Sequence, residues 1–517
     1  MDTAFDLVVV GAGAAGLLAG VAARRLGRTV LVVESDPFAG GSTALSNGRM
    51  WLPANHLMAK LGVPDSTTEA DEYLSALLGP AASDAAAQRR SAYTRTASKV
   101  ARWLTSSHVP LTPVKGLPDH QPDLPGGKPQ GRVLQTSPID RRVLGEWDAR
   151  LRPVQEPRRL SRRRPTSTPG EALVAHLLHR ATANGVEVWL DSPVIDLLGT
   201  PERVTGVLVR SGDAEVPVTA ARVVLASGGF EHDQGLREEY LPLPTEADWS
   251  TSGARNRGEL LNLAVAHGAA TAGLDDAWWV PVMLVDGVAF PLDEVRGKPH
   301  SVIVDSAGDR FFDESAPANT AGRTLYERSR GVRAVPSFLV MDNRHRQKWP
   351  LGPWTANGVP RKAMDAGDIV RAQTLNDLAQ ALGVDRAGLL GTVVRFNGFA
   401  GKGKDLDFKR GESAWGATTG EHGKRRNPSL GKLDKPPFWA VKVYPGDAGT
   451  KGGLVIDADS RVLRPDASPI EGLYACGGAA ASLYRGVTPA PGAALGAALV
   501  EAFLAVTDQP AERRLAL

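Results

Sequence analysis

The chain is short of the features that commit a protein to several common chemistries. It has one cysteine, Cys476, in 517 residues. No disulfide can close within the chain and no cysteine-rich metal site can form, so no metal is expected, and the count fits a reducing compartment. Cys476 sits in the apolar stretch "GLYACGG" and reads as a small core residue rather than a nucleophile. Neither sign of charge is in excess: 60 Lys and Arg face 57 Asp and Glu, leaving +3. That balance gives nucleic acid no basic field to bind. No apolar run reaches the ~18 uninterrupted residues of a membrane span. The first apolar run, "LVVVGAGAAGLLAG", follows Asp2 and Asp6 instead of a basic region, so it does not read as a signal peptide. The reading is therefore of a cytoplasmic protein. Internal repeats and low-complexity tracts are also missing.

What remains is an ordinary globular composition, 42% hydrophobic and 23% charged. The length calls for two or three domains. "FDLVVV" (5–10) predicts a buried strand, 14–27 a helix and "TVLVVE" (29–34) a second buried strand, together one βαβ unit. Residues 55–165 predict mainly helix, and "RRLSRRRP" (158–165) a solvated linker in preference to an anion site. Helix returns at 170–185, followed by the strands "VEVWL", "VTGVLV" and "ARVVLASGGF". Residues 285–435 are richer in tryptophan and proline, and the tail returns to strands, glycines and a closing helix. This pattern predicts a nucleotide-binding domain made from both chain ends, with a substrate domain between them.

"VVVGAGAAG" places Gly11, Gly13 and Gly16 in the G-x-G-x-x-G spacing between strand and helix. Gly11 permits the turn, Gly13 lets backbone approach a pyrophosphate, and Gly16 lets the helix pack on the sheet. The free N–H groups at Ala14 and Ala15 then face the phosphates. Glu34 ends the next strand, where it accepts from ribose hydroxyls and repels a 2′-phosphate, with Ser35 beside it. The small and hydroxylic residues that follow, Gly40, Gly41, Ser42, Thr43, Ser46, Asn47 and Gly48, suit the extended body of FAD better than NAD. Val194 and the strand end Ala226, Ser227 and Gly228 complete the approach surface.

These elements, in this order, resemble flavoproteins of the fumarate reductase and 3-ketosteroid dehydrogenase superfamily over nearly the whole chain. "GGSTALSNG", "DSAGDRFFDESAP" (305–317), "FWAVKVYPGDAGTKGGLVID" (438–457) and "GLYACGGAAA" carry the likeness. It implies an α/β fold, a Rossmann-like FAD-binding domain of the glutathione-reductase type with an inserted α+β substrate or capping domain. The expected bounds are 1–284 and 438–517 for the FAD-binding domain, with a helical insertion at about 55–165, and 285–437 for the insert. It further implies that the C-terminal glycine loop, with Gly477 and Gly478, passes under the flavin. Gly492, Ala493, Ala494 and Leu495 would present a helix N-terminus to the pyrimidine edge. No His or Cys stands in a flavin-attachment motif, so non-covalent FAD is expected.

Within the superfamily the fumarate-reducing pattern is missing. Gly449 precedes "TKGG" where that branch has His, and Thr488 and Ala318 stand where it has arginines. The ketosteroid dehydrogenase branch fits better, through "PGDAGTKGGL" (445–454) and "PDHQPDLPGG" (118–127). The resemblance implies removal of two hydrogens beside a ring ketone. That requires donors on the carbonyl oxygen, a base for the α-proton and flavin N5 for the hydride. Gly492 keeps the family's amide donor, but Thr488, Ala318 and His120 occupy its three tyrosine positions. Thr488 can still donate, whereas Ala318 cannot be a base. Tyr484, Tyr326, Arg323 and His120 stay open as substitutes, and Trp278 and Trp279 either wall a pocket or pack the core. The expected substrate is a 3-ketosteroid, or a smaller ring ketone such as 4-oxocyclohexanecarboxylate whose carboxylate would meet Arg485 or Arg323. The electron acceptor, whether oxygen, quinone or redox protein, is left open. An enone or enoate reductase and a flavin-binding protein without catalysis are the alternatives.

Overall fold

The computed structural model describes residues 3–153, 168–421, 423 and 426–507. The arginine-rich stretch at 158–165 lies outside the described residues. Strand β1 (Ala4–Val10) is buried along its second half, and β2 (Val30–Val33) throughout. An unbroken run of Leu and Val suits a parallel strand covered on both faces. Each such side chain taken fully out of water contributes about 1.5–3 kcal/mol. Between the two strands runs helix α1 (Ala14–Arg25), with Arg24 and Arg25 at its negative C-terminal end.

β1 pairs parallel with β2 on one side and with the strand Ala214–Leu225 on the other. Ala214–Leu225 in turn pairs parallel with Pro469–Ala475. One sheet therefore holds residues from both ends of the chain, as the α/β reading predicts. A second, six-stranded sheet contains Ala277–Val285, Ser301–Val304, Ser337–Met341 and Phe438–Thr450. The first and last of these four strands fall at or outside the bounds of 284 and 438 expected for the insert. Helix α2 (Ala318–Ser329) packs on this sheet, where Gly322 lies so close to Trp279 that an added Cβ would be 2.6 Å from its side chain.

The segment expected to be mainly helical carries Thr67–Leu78 and Asp84–Ser106, whose N-termini are capped by Ser66 and Ser83. It also contributes two strands to a three-stranded sheet formed by Met50–Trp51, Leu111–Pro113 and Val133–Thr136. Trp51 stacks on Tyr93 with ring centroids 5.9 Å apart, which joins this small sheet to the long helix. The closing helix α3 (Ala493–Thr507) lies against α1 and Asp84–Ser106, with its Leu499, Val500, Ala502 and Val506 fully buried.

Candidate active site

A single cavity of about 710 Å³ runs between the two chain ends. Gly11, Gly13, Ala14, Ala15, Glu34 and Ser35 line it from the first βαβ unit, and Gly477, Gly478, Ala494 and Leu495 from the C-terminal segment. Gly41, Ser42, Thr43, Ser46, Val194, Ala226, Ser227 and Gly228 supply the wall between them. The expected cofactor residues therefore gather in one place, although sequence separates them by more than 400 positions.

The chemistry of the wall fits FAD. Helix α1 opens onto the cavity with Gly13 as its N-cap, which has no side chain to cap the helix. Only Thr43 Oγ1 lies near, accepting from the Ala14 N–H at 3.3 Å. Such a helix start offers free amides and a positive dipole end to a pyrophosphate. Gly11 has φ +112°, and an added Cβ would sit 2.4 Å from the Ala226 carbonyl oxygen, so only glycine fits this turn. Glu34 is buried; its Oε2 accepts from the Ala12 N–H at 2.8 Å and its Oε1 from the Asp36 N–H at 3.0 Å. Burial raises its pKa and the two backbone donors oppose that rise. Helix α3 presents Ala494 and Leu495 at the opposite end of the cavity.

Some expected contacts take other roles. Gly16 lies outside the cavity lining and keeps the packing role expected of it: an added Cβ would lie 1.9 Å from the Gly11 carbonyl oxygen. Gly40, Asn47, Gly48, Gly492 and Ala493 also lie outside the lining. Gly48 backs onto Pro169, Asn47 is exposed and gives its carbonyl to Gln135, and Ala493 is packed in the core. Gly492 has φ +83° and meets the Arg49 backbone, with an added Cβ 2.5 Å from its carbonyl. Its own carbonyl accepts from the Trp51 N–H at 3.0 Å, which fixes where α3 starts.

Sequence reasoning missed several wall residues. Ser42 Oγ accepts from the Gly253 N–H and from Asn256 Nδ2, and Asn256 Nδ2 also bonds Glu231 Oε1 at 2.6 Å. Arg152 donates to Asp36 at 2.7 Å and lines the same cavity. The motif "GGFE" and the turn "TSGARNRG" were the available signals, but neither shows its partner in the sequence.

The loop before α3 carries the remaining candidates. His120 reaches it twice: its N–H donates to the Pro489 carbonyl at 2.8 Å, and Nδ1 lies 2.8 Å from the Thr488 carbonyl oxygen. Tyr73 donates its hydroxyl to Pro489 as well, at 2.7 Å. The Thr488 hydroxyl is buried and has no hydrogen-bond partner among the described residues. Burial holds the His120 imidazole down at about 4, with Arg296 adding to the effect and the Thr488 carbonyl opposing it.

On the far side of the loop, Lys451 Nζ donates to Asn319 Oδ1 and the Val487 carbonyl, each at 3.0 Å, and lies 3.4 Å from Asp276 Oδ2. It also sits 4.8 Å from the centre of the Trp278 ring. Burial lowers this ammonium to about 8, with Asp276 resisting. Asp276 further accepts from the Gly486 N–H at 2.8 Å and from Arg323 at 3.1 Å.

Tyr484 and Tyr326 are thereby placed elsewhere, while Arg323 stays beside the loop, 4.0 Å from a Cβ added at Gly486. Tyr484 is fully buried among Trp51, Tyr93 and Trp278, so it packs the loop from behind. Tyr326 stands two helical turns beyond Ala318, about 12 Å along the axis, and packs on Trp279 with ring centroids 5.1 Å apart. Arg323 is engaged by Asp276. Trp278 lines the cavity and Trp279 belongs to the core. Arg485 is exposed. Among the described residues no cluster of ligands for a metal ion is present, and no helix is long and apolar enough to cross a membrane.

The family described as "FAD binding domain" matches residues 6–495. The 3-oxosteroid 1-dehydrogenase of Mycolicibacterium smegmatis is 35% identical over 98% of this chain and 97% of its own. The 4-oxocyclohexanecarboxylate 2-dehydrogenase of Sinomonas cyclohexanicum is 32% identical over 97% of this chain and 92% of its own. Among solved structures, the 3-ketosteroid Δ1-dehydrogenase from Sterolibacterium denitrificans, in complex with 1,4-androstadiene-3,17-dione, superposes with a TM-score of 0.92. It is 34% identical and is matched over 98% of this chain and 99% of that one.

Proposed function

This chain belongs to the FAD binding domain family as an FAD-dependent oxidoreductase, and on that premise we propose that it desaturates a ring ketone, forming a carbon–carbon double bond next to the carbonyl. The observation that carries the reading is the loop Gly486–Gly492. It runs from the Lys451–Asp276 network into the start of α3, and it holds a buried threonine hydroxyl with no hydrogen-bond partner among the described residues. A buried hydroxyl without a partner costs about 1–3 kcal/mol. A ketone oxygen bound there would remove that cost.

In the reaction the α-carbon loses a proton to the protein and the β-carbon loses a hydride, and the electron pair of the α C–H bond becomes the new double bond. Bound FAD supplies the hydride acceptor. Thr488 and the Gly492 amide hold the ketone oxygen as enolate charge develops, a role in which one removed donor typically costs about 10²–10³ in rate. Trp278 walls the cavity where it approaches the loop and helps keep water from the reacting carbons.

The substrate we favour is a 3-ketosteroid, in line with the 34–35% identical relatives. A smaller ring ketone carrying a carboxylate is the second reading. Arg49 supports it, because its backbone meets Gly492 and its buried Nε has no hydrogen-bond partner among the described residues. Arg323, held by Asp276, does not.

The test is anaerobic mixing of the FAD-loaded protein with a panel of 3-ketosteroids and 4-oxocyclohexanecarboxylate. Bleaching of the flavin absorbance, with the matching enone as product, is the expected result. A protein that no ring ketone bleaches, but whose reduced flavin is reoxidised by enones, works as a reductase and refutes the reading.

A further inference from the structure

We propose that His120 is the catalytic base of this protein, receiving the substrate α-proton on Nε2 in the absence of the tyrosines its relatives' pattern would supply. The inference rests on the desaturase reading above and adds the identity of the proton acceptor. Its first support is geometric. The Thr488 carbonyl can only accept, so the 2.8 Å contact requires His120 to carry its hydrogen on Nδ1. The neutral ring then bears its lone pair on Nε2.

The same residue fixes both halves of the reaction. Thr488 offers its hydroxyl to the ketone oxygen and its carbonyl to the imidazole, so donor and base are tied to one backbone unit. The bond from the His120 N–H to Pro489 adds a second tie. The ring also packs against the edge of Trp415, with centroids 4.5 Å apart. The ring is held by one hydrogen bond and an aromatic wall, and its backbone by a second bond to the same loop, which confines the orientation a general base requires.

The third support is what surrounds the position of Ala318. Asn319 Nδ2 donates to the Gly486 carbonyl at 3.3 Å, so the start of α2 lies against one end of the loop. His120 lies against its middle, at Thr488 and Pro489. Arg296 bridges the two regions, donating to the carbonyls of Glu314 and Ala316 while its charge acts on His120. With a methyl group at 318, the basic side chains bonded to this loop are His120 at Thr488 and Lys451 at Val487, and Lys451 directs its N–H groups to Val487 and Asn319 beside the Asp276 carboxylate.

The charged neighbours permit the role. Arg296 is the cation acting on the imidazole, Trp415 is neutral, Tyr73 is kept un-ionised by burial, and Asp119 is paired with Arg132 at 2.8 Å. A base with a pKa of about 4 is adequate for this step. A ketosteroid isomerase aspartate of about 4.6 removes the α-proton of a ring ketone where donors stabilise the enolate. The α C–H bond breaks, the proton forms imidazolium at Nε2, and Nδ1–H stays on the Thr488 carbonyl. The hydride from the β-carbon goes to the bound FAD.

The test is stopped-flow anaerobic reduction of the FAD-loaded protein by a 3-ketosteroid, from about pH 5.5 to about pH 9. His120→Asn keeps a donor for the Thr488 carbonyl but has no basic nitrogen. It should retain FAD and substrate KM while reduction slows by about 10²–10⁴-fold. The wild-type rate should be level across the range, because the imidazole is already neutral. His120→Ala should regain rate with added imidazole, which a purely structural role would not produce. Reduction by His120→Asn within about threefold of wild type overturns the assignment, as does a wild-type rate rising about tenfold per pH unit toward alkaline pH, the mark of a phenol base. A wild-type flavin that no ring ketone reduces sinks the desaturase reading itself, whereas normal wild-type reduction with an equally active His120→Asn sinks only the base.

Discussion

Replacing Lys451 with methionine removes a buried cation at nearly constant volume, and its effect on stability should depend on pH in a direction the structure dictates. The lysine side chain is 1% exposed and donates to the Val487 carbonyl and Asn319 Oδ1. The variant leaves those two acceptors without this donor, at about 1–3 kcal/mol each. Asp276 loses less, since Arg323, the Gly486 N–H and Trp279 Nε1 still bond it. Packing of a thioether on Trp278 returns part of the loss. At neutral pH the net destabilisation should be about 2 kcal/mol. The folded-state pKa of about 8 lies below the ordinary lysine value of 10.5. Between these values the unfolded chain binds a proton that the folded protein has already released, so wild-type stability rises with pH. By about pH 9.5 the gap between wild type and Lys451→Met should widen by about 2 kcal/mol. The neutral amine keeps two N–H groups, enough for Val487 and Asn319. Urea unfolding of the FAD-saturated proteins at both pH values measures the gap, and the difference cancels the other titrating groups. A gap that narrows as pH rises would mean that Lys451 is stabilised as a cation, and the account of this network would be wrong.

Thr488→Val keeps the shape and removes the hydroxyl. Flavin content should be unchanged and the rate of anaerobic flavin reduction should fall by about 10²-fold; an unchanged rate takes Thr488 off the ketone oxygen. Glu34→Gln should weaken FAD by about 10–100-fold, the value of a charge-assisted hydrogen bond, measured by recovery of flavin fluorescence on dilution. Full retention of FAD would place the ribose elsewhere. Tyr484→Phe should leave turnover within about threefold, because its hydroxyl is enclosed by aromatic side chains; a loss beyond about 10²-fold would return it to the list of catalytic groups.

The first βαβ unit was readable because its information is local. The glycine spacing, the β-branched runs and Glu34 all lie within 30 residues, and Gly11, Gly13 and Glu34 all line the cavity. Gly16 packs the helix on the strand, the role its place in the motif implies. Ser42 was legible as a hydroxyl near the cofactor, but its partners Gly253 and Asn256 lie more than 200 residues away. Tyr484 was a candidate through its four-residue separation from Thr488, yet the backbone turns between them and sends its ring toward Trp51 and Tyr93. Lys451 was visible only as one letter of "TKGG". Its role comes from residues 276, 319 and 487, brought to it by two separate crossings of the chain.

The resemblance implies tyrosines where this chain has Ala318 and Thr488, and that difference bears on the loop as a mechanical unit. Gly492 and Gly496 press one end of it against Arg49–Trp51, since an added Cβ at either would strike that backbone at 2.5 or 2.2 Å. Asp276 and Lys451 hold the other end at Gly486 and Val487. His120 and Tyr73 tie the middle at Thr488 and Pro489. None of these attachments uses the side chain at 318, and the one at 488 uses its carbonyl. Side chains at the two positions can therefore change without moving the frame that seats FAD and aims the donors. The proposed use of an imidazole as base fits an architecture that rests on backbone carbonyls, glycines and a buried lysine.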